Sequence, residues 1–303
     1  MIYLRRCFLL VSVIGILLTP GQVTAQPAAP QVDPGAVVRA IFVALNSGDV
    51  DGALAYVADD AVLTFSPPPP GVNPSLVGKA EIRTWWETFV GWHPETEIID
   101  LTVKGNMVMM TSYVSEDGFR ALGVAPMRSE LVAIVQEGLL RAYTVTFSKE
   151  SQAKLAAALD KEAKKEIIRR FYDELWNQGD MSFVDTFVAA DFEDGFSGQV
   201  GQEPLKGTVE LFRTAFPTMQ ISYGDMMVDG DMVVVTITNT MGAYAGGLPD
   251  FFGIPDSAIG KEVVLHGIDY ARIVDGKMVK GWGVHDDLGW LQQFGLALQA
   301  AEE

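Results

Sequence analysis

The sequence predicts an α+β protein made of two tandem copies of one domain. The 303 residues are too many for a single core of ordinary size. An internal repeat aligns Ala40 to Asp49 (AIFVALNSGD) with Phe171 to Asp180 (FYDELWNQGD) at a shift of 131 residues. In each copy, helical periodicity comes first and strand-like segments come last. Helices followed by a run of antiparallel strands are typical of α+β domains.

The second copy shows this order most clearly. Apolar residues at helical spacing from Ile167 to Leu175 predict a first helix, which Asn177-Gln-Gly179 should end. Asp275-Gly276 predicts a hairpin between the last two strands. Two helices and three strands are expected after the first helix, at residues 181–189, 208–216, 232–241, 262–273 and 278–286. The Ala- and Lys-rich link over 148–165 lacks Gly and Pro, which predicts a helix that merges into the second copy.

The N-terminus has the pattern of a secretory signal. Arg5 and Arg6 precede an apolar run from Phe8 to Leu18, and small residues at Val23-Thr-Ala25 form a cleavage site. The run is shorter than the ~20 residues that span a bilayer. We therefore expect cleavage before Gln26 and a secreted or periplasmic location. The resulting segments are a signal (1–25), a linker (26–33), a first domain (34–147), a helical linker (148–161), a second domain (162–296) and a tail (297–303).

Charge and cysteine content exclude several function classes. The net charge of −17 becomes −19 when Arg5 and Arg6 are removed, so nucleic acid and anionic membrane surfaces should be repelled. Cys7 is the only cysteine and would leave with the signal. Disulfides, thiolate metal sites and a cysteine nucleophile are then excluded.

Five stretches of the second copy carry a family resemblance: Ile168–Asp180, Phe252–Pro255, Gly267–Arg272, Asp275–Lys277 and Trp282–Gly295. With them the copy resembles the SnoaL-like polyketide cyclases (ester cyclases) of the nuclear-transport-factor-two-like superfamily, and the first copy resembles a more divergent member. The resemblance implies a cone, in which a curved antiparallel sheet and about three helices enclose an apolar pocket. It also implies an intramolecular aldol closure without metal or cofactor, with Asp286 as the general base.

The hairpin gives this site an expected geometry. With a turn at 274–277, Leu265 pairs with Asp286 and Asp269 pairs with Trp282. One face then carries Leu265, Gly267, Asp269, Trp282, Val284 and Asp286. An acid among apolar side chains should have a raised pKa, which suits a general base. Asp286 also fits a second role, as the N-cap of a terminal helix that begins at this point.

Other polar residues are candidate partners of the substrate. Donors for a developing enolate are available in four side chains that the sequence does not place: Tyr172, Tyr244, Tyr270 and Trp282. His266 and His285 are expected to pair across the hairpin on the face opposite Asp286. No third ligand has a convincing spacing, so no metal is predicted. Many relatives carry a histidine in an Asp-Phe-x-x-His pattern where this chain has Gly195, which leaves Glu193 or Asp194 as replacements.

Three functions remain open at this stage. The first is a cofactor-free cyclase, and the second is a non-catalytic binding or scaffolding protein for an apolar small molecule. The third is an epoxide hydrolase or ketosteroid-isomerase-like enzyme. Asp269 and Arg272 favour the hydrolase only weakly, because strand parity separates them. The last strand of the first copy, 139–147, has no carboxylate, so that copy is interpreted as a binding or structural partner. The two copies are expected to form a pseudo-dimer, with further homo-oligomers left open, and the prolines at 67–70 to line a pocket rim.

Overall fold

The computed structural model describes residues 32–69 and 71–296. The predicted signal (1–25), residues 26–31 of the predicted linker, the predicted tail (297–303) and Pro70 lie outside these residues. Within the described ranges, no helix combines the length and apolar character needed to cross a bilayer.

The described residues of the first domain form four helices and six strands. Its first helix begins at Pro34, where the Asp33 carboxylate accepts the N–H of Gly35. The elements are α1 (Pro34–Asn46), α2 (Val50–Leu54), β1 (Val57–Ser66), β2 (Ser75–Val77), α3 (Lys79–Val90), β3 (Glu95–Lys104), β4 (Met107–Ser115), α4 (Asp117–Ala121), β5 (Met127–Gln136) and β6 (Leu139–Phe147).

The second domain repeats this order after a long connecting helix. That helix, α5 (Lys149–Arg170), continues without a break into a π-helical segment, Phe171–Gln178, which ends at Gly179 with a φ of 78°. The predicted helical link and helix stop are thus confirmed. The remaining α-helices and strands are α6 (Ser182–Phe187), β7 (Val188–Asp194), β8 (Gln199–Val200), α7 (Gln202–Ala215), β9 (Gln220–Asp229), β10 (Met232–Ala243), β11 (Glu262–Val274), β12 (Lys277–His285) and α8 (Asp287–Gln293). Two short 3-10 helices, Asp250–Phe252 and Asp256–Ala258, lie between β10 and β11.

The two sheets have the same strand order. The first runs β2-β1-β6-β5-β4-β3 and the second runs β8-β7-β12-β11-β10-β9. The predicted α+β class with two tandem domains of one fold is confirmed. Each sheet is mixed rather than wholly antiparallel, because β1 lies parallel to β6 and β7 lies parallel to β12. The last strand of each domain therefore lies between two neighbours: β6 between β1 and β5, and β12 between β7 and β11.

Each domain has its own hydrophobic core. In the first, β5 alternates buried and exposed positions so that Leu131, Ala133 and Val135 face inward. That core is completed by helix residues such as Trp86, which is 1% exposed. A separate cluster in the second domain includes Phe183, which is likewise almost fully buried. The two clusters share no residue, so each domain buries its apolar surface locally.

Helix α5 contacts both domains. Near its start, the Ser151 hydroxyl accepts the backbone N–H of Arg128 in β5. Near its end, Lys164 Nζ donates to the carbonyl of Gly230 (2.9 Å) and lies 3.3 Å from Asp231 Oδ1 in the turn between β9 and β10. Only 11% of the Lys164 side chain is exposed, so the charge is held by these oxygens. The helix is thus anchored at both ends.

The register of the last hairpin differs from the sequence prediction. The pair Ile273–Met278 is as expected, but the next pair is Arg272–Lys280, which leaves Val279 as an extra residue in β12. Beyond this bulge, every predicted pair is displaced by one residue. A one-residue displacement moves side chains to the other face of a strand, and this change decides which residues form the site.

Candidate functional site

The second domain encloses a cavity of about 170 Å³ between its sheet and its helices. Its wall is mostly apolar and aromatic, with Trp176, Phe212 and Trp290 contributed by the helices. The polar side chains in this lining include Tyr172, Asn239, Asp269 and His285. A mainly apolar cavity with a few convergent polar groups is typical of a small-molecule site.

Asp269 lies at the centre of a three-residue hydrogen-bonded group. His285 Nε2 lies 2.8 Å from Asp269 Oδ1, and the Tyr172 hydroxyl donates to Asp269 Oδ2 at 2.8 Å. The Asp269 and His285 side chains are 23% and 18% exposed, and Tyr172 is 2% exposed. Because both carboxylate oxygens already accept a hydrogen bond, Asp269 is suited to orient the imidazole rather than to take a proton itself.

Two glycines make room for this group. A Cβ on Gly267 would lie 2.1 Å from His285 Cδ2, and a Cβ on Gly283 would lie 2.1 Å from Asp269 Oδ1. These residues pair directly with His285 and Asp269 across the hairpin. The imidazole and the carboxylate can therefore lie flat against the sheet and meet each other.

The surroundings shift two pKa values. The hydrogen bond that His285 donates to Asp269 raises the pKa of His285 above its usual value of 6.5, against an opposing effect of burial. Burial, followed by the nearby Asp269, raises the pKa of Tyr172 well above 10. Tyr172 is thus a fixed donor at neutral pH. When His285 is neutral and its Nε2–H donates to Asp269, its Nδ1 carries the lone pair that can accept a proton.

The pKa of His285 can be measured directly because the chain has only three histidines, the others being His93 and His266. We expect its imidazole resonances to titrate above pH 6.5 by NMR, and Asp269→Asn to lower that pKa because the main cause of the increase is removed. The raised folded-state pKa stabilises the protein below pH ~6.5, and this contribution is lost as the pH rises through the folded value. His93→Gln and His266→Gln assign the other two resonances. An unchanged titration in Asp269→Asn would contradict the pairing.

Gly283→Ala should disrupt the Asp269–His285 contact. Its Cβ would lie 2.1 Å from Asp269 Oδ1 and 2.8 Å from His285 Nε2, so the pair must separate. We expect a loss of roughly 1–3 kcal/mol in the free energy of unfolding and a lower His285 pKa. Gly207→Ala in α7 is the matched control, since nothing lies within 4 Å of its Cβ, and it should stabilise by roughly 0.4–1 kcal/mol. Equal unfolding free energies for the two variants would argue against the close packing.

Asn239 supplies a further polar group. It is 5% exposed and lies on the inward face of β10, and its Oδ1 has no hydrogen-bond partner among the described residues. A buried amide without a partner is costly unless a ligand or water bonds to it. Asp194 also lines the cavity, but its oxygens already accept the Phe196 N–H (3.0 Å) and the Ser197 hydroxyl (2.6 Å). Asn239 Oδ1 is therefore the group best suited to accept a hydrogen bond from a ligand hydroxyl or amine.

The structure places Asp286 outside this group. Asp286 is the N-cap of α8, where its Oδ1 accepts the N–H of Gly289 at 2.9 Å. It is not among the cavity-lining residues, whereas its neighbour His285 is. Of the two roles left open by the sequence, the geometry supports capping. The predicted placement of Asp286 in the pocket is corrected, and the bulge at Val279 is the physical reason.

Three other residues predicted to line the pocket, Val284, Tyr244 and His266, also need correction. Val284 pairs with Ile268, and both side chains lie on the outer face of the sheet. Val284 is therefore 59% exposed and does not face the cavity. Tyr244 is buried in the core against Phe216 and Phe294 and does not line the cavity. Trp282 does line the cavity and is 47% exposed, but it packs edge-to-face on Tyr270, which is its cross-strand partner in place of the predicted Asp269.

His266 and His285 do not pair with each other. His266 lies exposed on the outer face, with its Nδ1 3.1 Å from Thr238 Oγ1, while His285 pairs with Gly267 and faces the cavity. Within the described ranges, no cluster of three or more His, Cys, Asp or Glu side chains could hold a metal ion.

The predictions for Leu265 and Asp269 as lining residues agree with the geometry. Glu193, by contrast, forms an external ion pair with Lys280 at 2.7 Å. Gly195 leaves space that Trp282 fills, since a Cβ there would lie 2.7 Å from Trp282 Cδ1.

Two residues of the site were not predicted from the sequence. Tyr172 was named as a possible donor but was not placed, and Asn239 was not identified at all. The glycines at 267, 281 and 283 were the available signal, because glycine inside a strand indicates a bulge or a close approach.

The family comparisons agree with this two-domain geometry. Residues 38–154 match the family described as SnoaL-like domain, and residues 166–294 match the family described as SnoaL-like polyketide cyclase. The chain thus contains two SnoaL-like domains in tandem, and the second matches the polyketide cyclase model. No curated protein matches the sequence.

Several solved structures are similar to one domain of the chain. A Bacillus cereus protein with the provisional description of polyketide cyclase is 26% identical over 45% of this chain and 83% of its own, with a TM-score of 0.36. A protein of the same description from Acidithiobacillus ferrooxidans is 26% identical over 44% of this chain and 94% of its own, with a TM-score of 0.38. A SnoaL-like protein from Jannaschia is 22% identical over 45% of this chain and 94% of its own, with a TM-score of 0.40.

Proposed function

We propose that the second domain catalyses a cofactor-free proton transfer on a carbonyl compound, with His285 as the general base. The observation that carries this proposal is the Asp269–His285–Tyr172 group in an otherwise apolar cavity. An imidazole held by a carboxylate, with its other nitrogen free to accept a proton, is the usual arrangement of a histidine base. The family of the domain supports a cyclase-like reaction of this kind.

The proposed reaction is an intramolecular aldol closure. His285 Nδ1 takes a proton from the carbon next to a carbonyl, and the electrons of the C–H bond move into an enolate. The enolate carbon then forms a bond to a second carbonyl carbon of the same molecule, and the resulting alkoxide recovers the proton from His285. The product is an isomer of the substrate, so no oxidant or cofactor is consumed.

Each polar group has a distinct task in this scheme. Asp269 orients the imidazole through its Oδ1 and stabilises the protonated form of His285. Tyr172 holds the carboxylate in place by donating a hydrogen bond to its other oxygen, Oδ2. Asn239, whose Oδ1 has no partner among the described residues of the wall, is the candidate to accept a hydrogen bond from a hydroxyl group of the substrate. The apolar lining excludes water and strengthens these interactions. The expected site of this chemistry, outside the cytoplasm, rests on the sequence pattern of residues 1–25.

The test is solvent-deuterium exchange with compact diketones and keto esters, chosen because the cavity volume is about 170 Å³. Enolisation in D₂O replaces the α hydrogen, which NMR detects even when ring closure does not follow. We expect catalysed exchange whose rate rises with pH through the pKa of His285, because only the neutral imidazole is a base. A rate equal to the buffer control across the whole panel would favour the alternative of a binding protein.

A further inference from the structure

The first domain contains the larger cavity, about 500 Å³, roughly three times the volume of the cavity in the second domain. Its lining is almost wholly apolar and includes three tryptophans, Trp85, Trp86 and Trp92. Pro67, Pro68 and Pro69 line it as well, in keeping with the predicted pocket-rim loop. A volume of this size is typical of sites for organic molecules.

Matching strand registers relate the two cavities residue by residue. Strands β4 and β10 both start after a Gly-containing turn, and their second residues, Val108 and Val233, have equivalent cross-strand partners. Val108 pairs with Ala133 in β5, and Val233 pairs with Ala271 in β11. Counting from these two alanines identifies the first-domain residue at each position of the second-domain site.

The catalytic group is replaced by apolar residues in the first domain. Leu131 takes the place of Asp269, because each lies two residues before its reference alanine. Phe147 takes the place of His285, because Phe147 pairs with Ser129 as His285 pairs with Gly267. Both Leu131 and Phe147 line the first cavity. The sequence repeat likewise aligns Ile41 with Tyr172. This cavity therefore has no proton-transfer group at the equivalent positions.

The remaining polar groups define which ligand fits. Among the described residues of the lining, Glu116 is the only side chain with a formal charge at neutral pH, and its two oxygens accept the N–H groups of Gly118 and Phe119 at 2.7 Å. A charged ligand buried in this cavity would therefore find no free group of opposite charge, which makes its burial unfavourable. Ser112 and Ser129 form a buried hydroxyl pair, 2.9 Å apart, in the wall. Two hydroxyls that share one hydrogen bond keep one O–H hydrogen for a further acceptor.

We infer that the first domain is a binding site for an uncharged, largely aromatic or polyene molecule that carries a ketone or ester oxygen. The aromatic walls hold the hydrocarbon part, and the Ser112–Ser129 pair donates to the oxygen. Helix α5 completes the wall with Leu155 and Leu159. Binding takes place without chemistry, because the positions of the base and its partners are occupied by apolar side chains.

The test uses Prodan, an uncharged naphthalene ketone whose fluorescence reports an apolar environment. Leu155→Glu places a carboxylate in the cavity wall and should weaken Prodan binding by at least ~10-fold, since the charge has no partner there. Ala156→Glu, on an exposed position of the same helix, is the matched control and should bind normally. Equal affinities for wild type, Leu155→Glu and Ala156→Glu would overturn the assignment of the site.

Two further measurements locate the probe without relying on that variant. With 5-fluorotryptophan labelling, the ¹⁹F resonances of Trp85, Trp86 and Trp92 should shift at lower Prodan concentrations than those of Trp176, Trp282 and Trp290. The opposite order would place the probe in the second domain and contradict the proposal. Ser112→Ala with Ser129→Ala removes both hydroxyls together, which costs little stability. This double variant should weaken Prodan severalfold but not N-phenyl-1-naphthylamine, which has no ketone; equal loss for both probes would refute the role of the pair.

Discussion

His285→Gln should reduce α-hydrogen exchange by roughly 10²–10⁴-fold, the usual contribution of a positioned general base. Glutamine retains a polar side chain of similar reach but has no basic nitrogen. Its amide N–H can still donate to Asp269 Oδ1, so the fold should be retained. Asp269→Asn should also reduce exchange, and its pH profile should move to lower pH because the pKa of His285 falls.

Asp286→Asn is the matched control for this pair of variants. Asparagine is as good an N-cap as aspartate, so α8 should keep its start and the exchange rate should stay near the wild-type rate. Circular dichroism and melting of each variant separate a loss of chemistry from a loss of fold. Full exchange in a folded His285→Gln protein, or its loss in Asp286→Asn, would return the role of base to Asp286 or to another group.

Trp86→Ala should cost about 3–5 kcal/mol, the typical loss for a fully buried aromatic side chain. Trp86 is 1% exposed in the core of the first domain, and that core shares no residue with the core of the second. We therefore expect calorimetry to show a lower melting transition for the first domain only. The His285 imidazole resonance should keep its native position at temperatures where the first domain has unfolded.

The half-exposed Trp92 provides the comparison for this variant. Trp92→Ala removes a side chain of the same type from a position that is 38% exposed, so the loss of stability should be much smaller. Concerted loss of the His285 signal with the first transition would show that the domains unfold as one unit, contrary to their separate cores.

The fold could be predicted because its determinants are local and occur twice. Asn177-Gln-Gly179 ends a helix and Asp275-Gly276 forms a tight turn wherever they occur, and the repeat shows the same order in both copies. The parallel pairing of β7 with β12 could not be derived in this way, since it joins segments about 90 residues apart. Strand alternation near the turn does not specify which distant strand completes a sheet.

The predicted site was wrong because the predicted register of β12 was displaced by one residue. The turn at Asp275-Gly276 fixes the pair Ile273–Met278, but Val279 then bulges and exchanges the inward and outward faces of β12. Asp269 was correctly placed because it precedes the turn on the regular strand β11. His285 and Asp286 exchanged roles because they follow the bulge. The flanking glycines, Gly281 and Gly283, indicated the irregularity without specifying its position.

The shared helix α5 sets the smallest piece of the chain that can hold the first cavity intact. A fragment that ends with β6 at Phe147 would keep all six strands of the first sheet but would lose Leu155 and Leu159 from the cavity wall. The apolar lining would then face water along that side. A soluble fragment of the first domain must therefore extend past residue 159. Lys164 already bonds the second domain through its amine, so a cut between the domains should lie between residues 159 and 164.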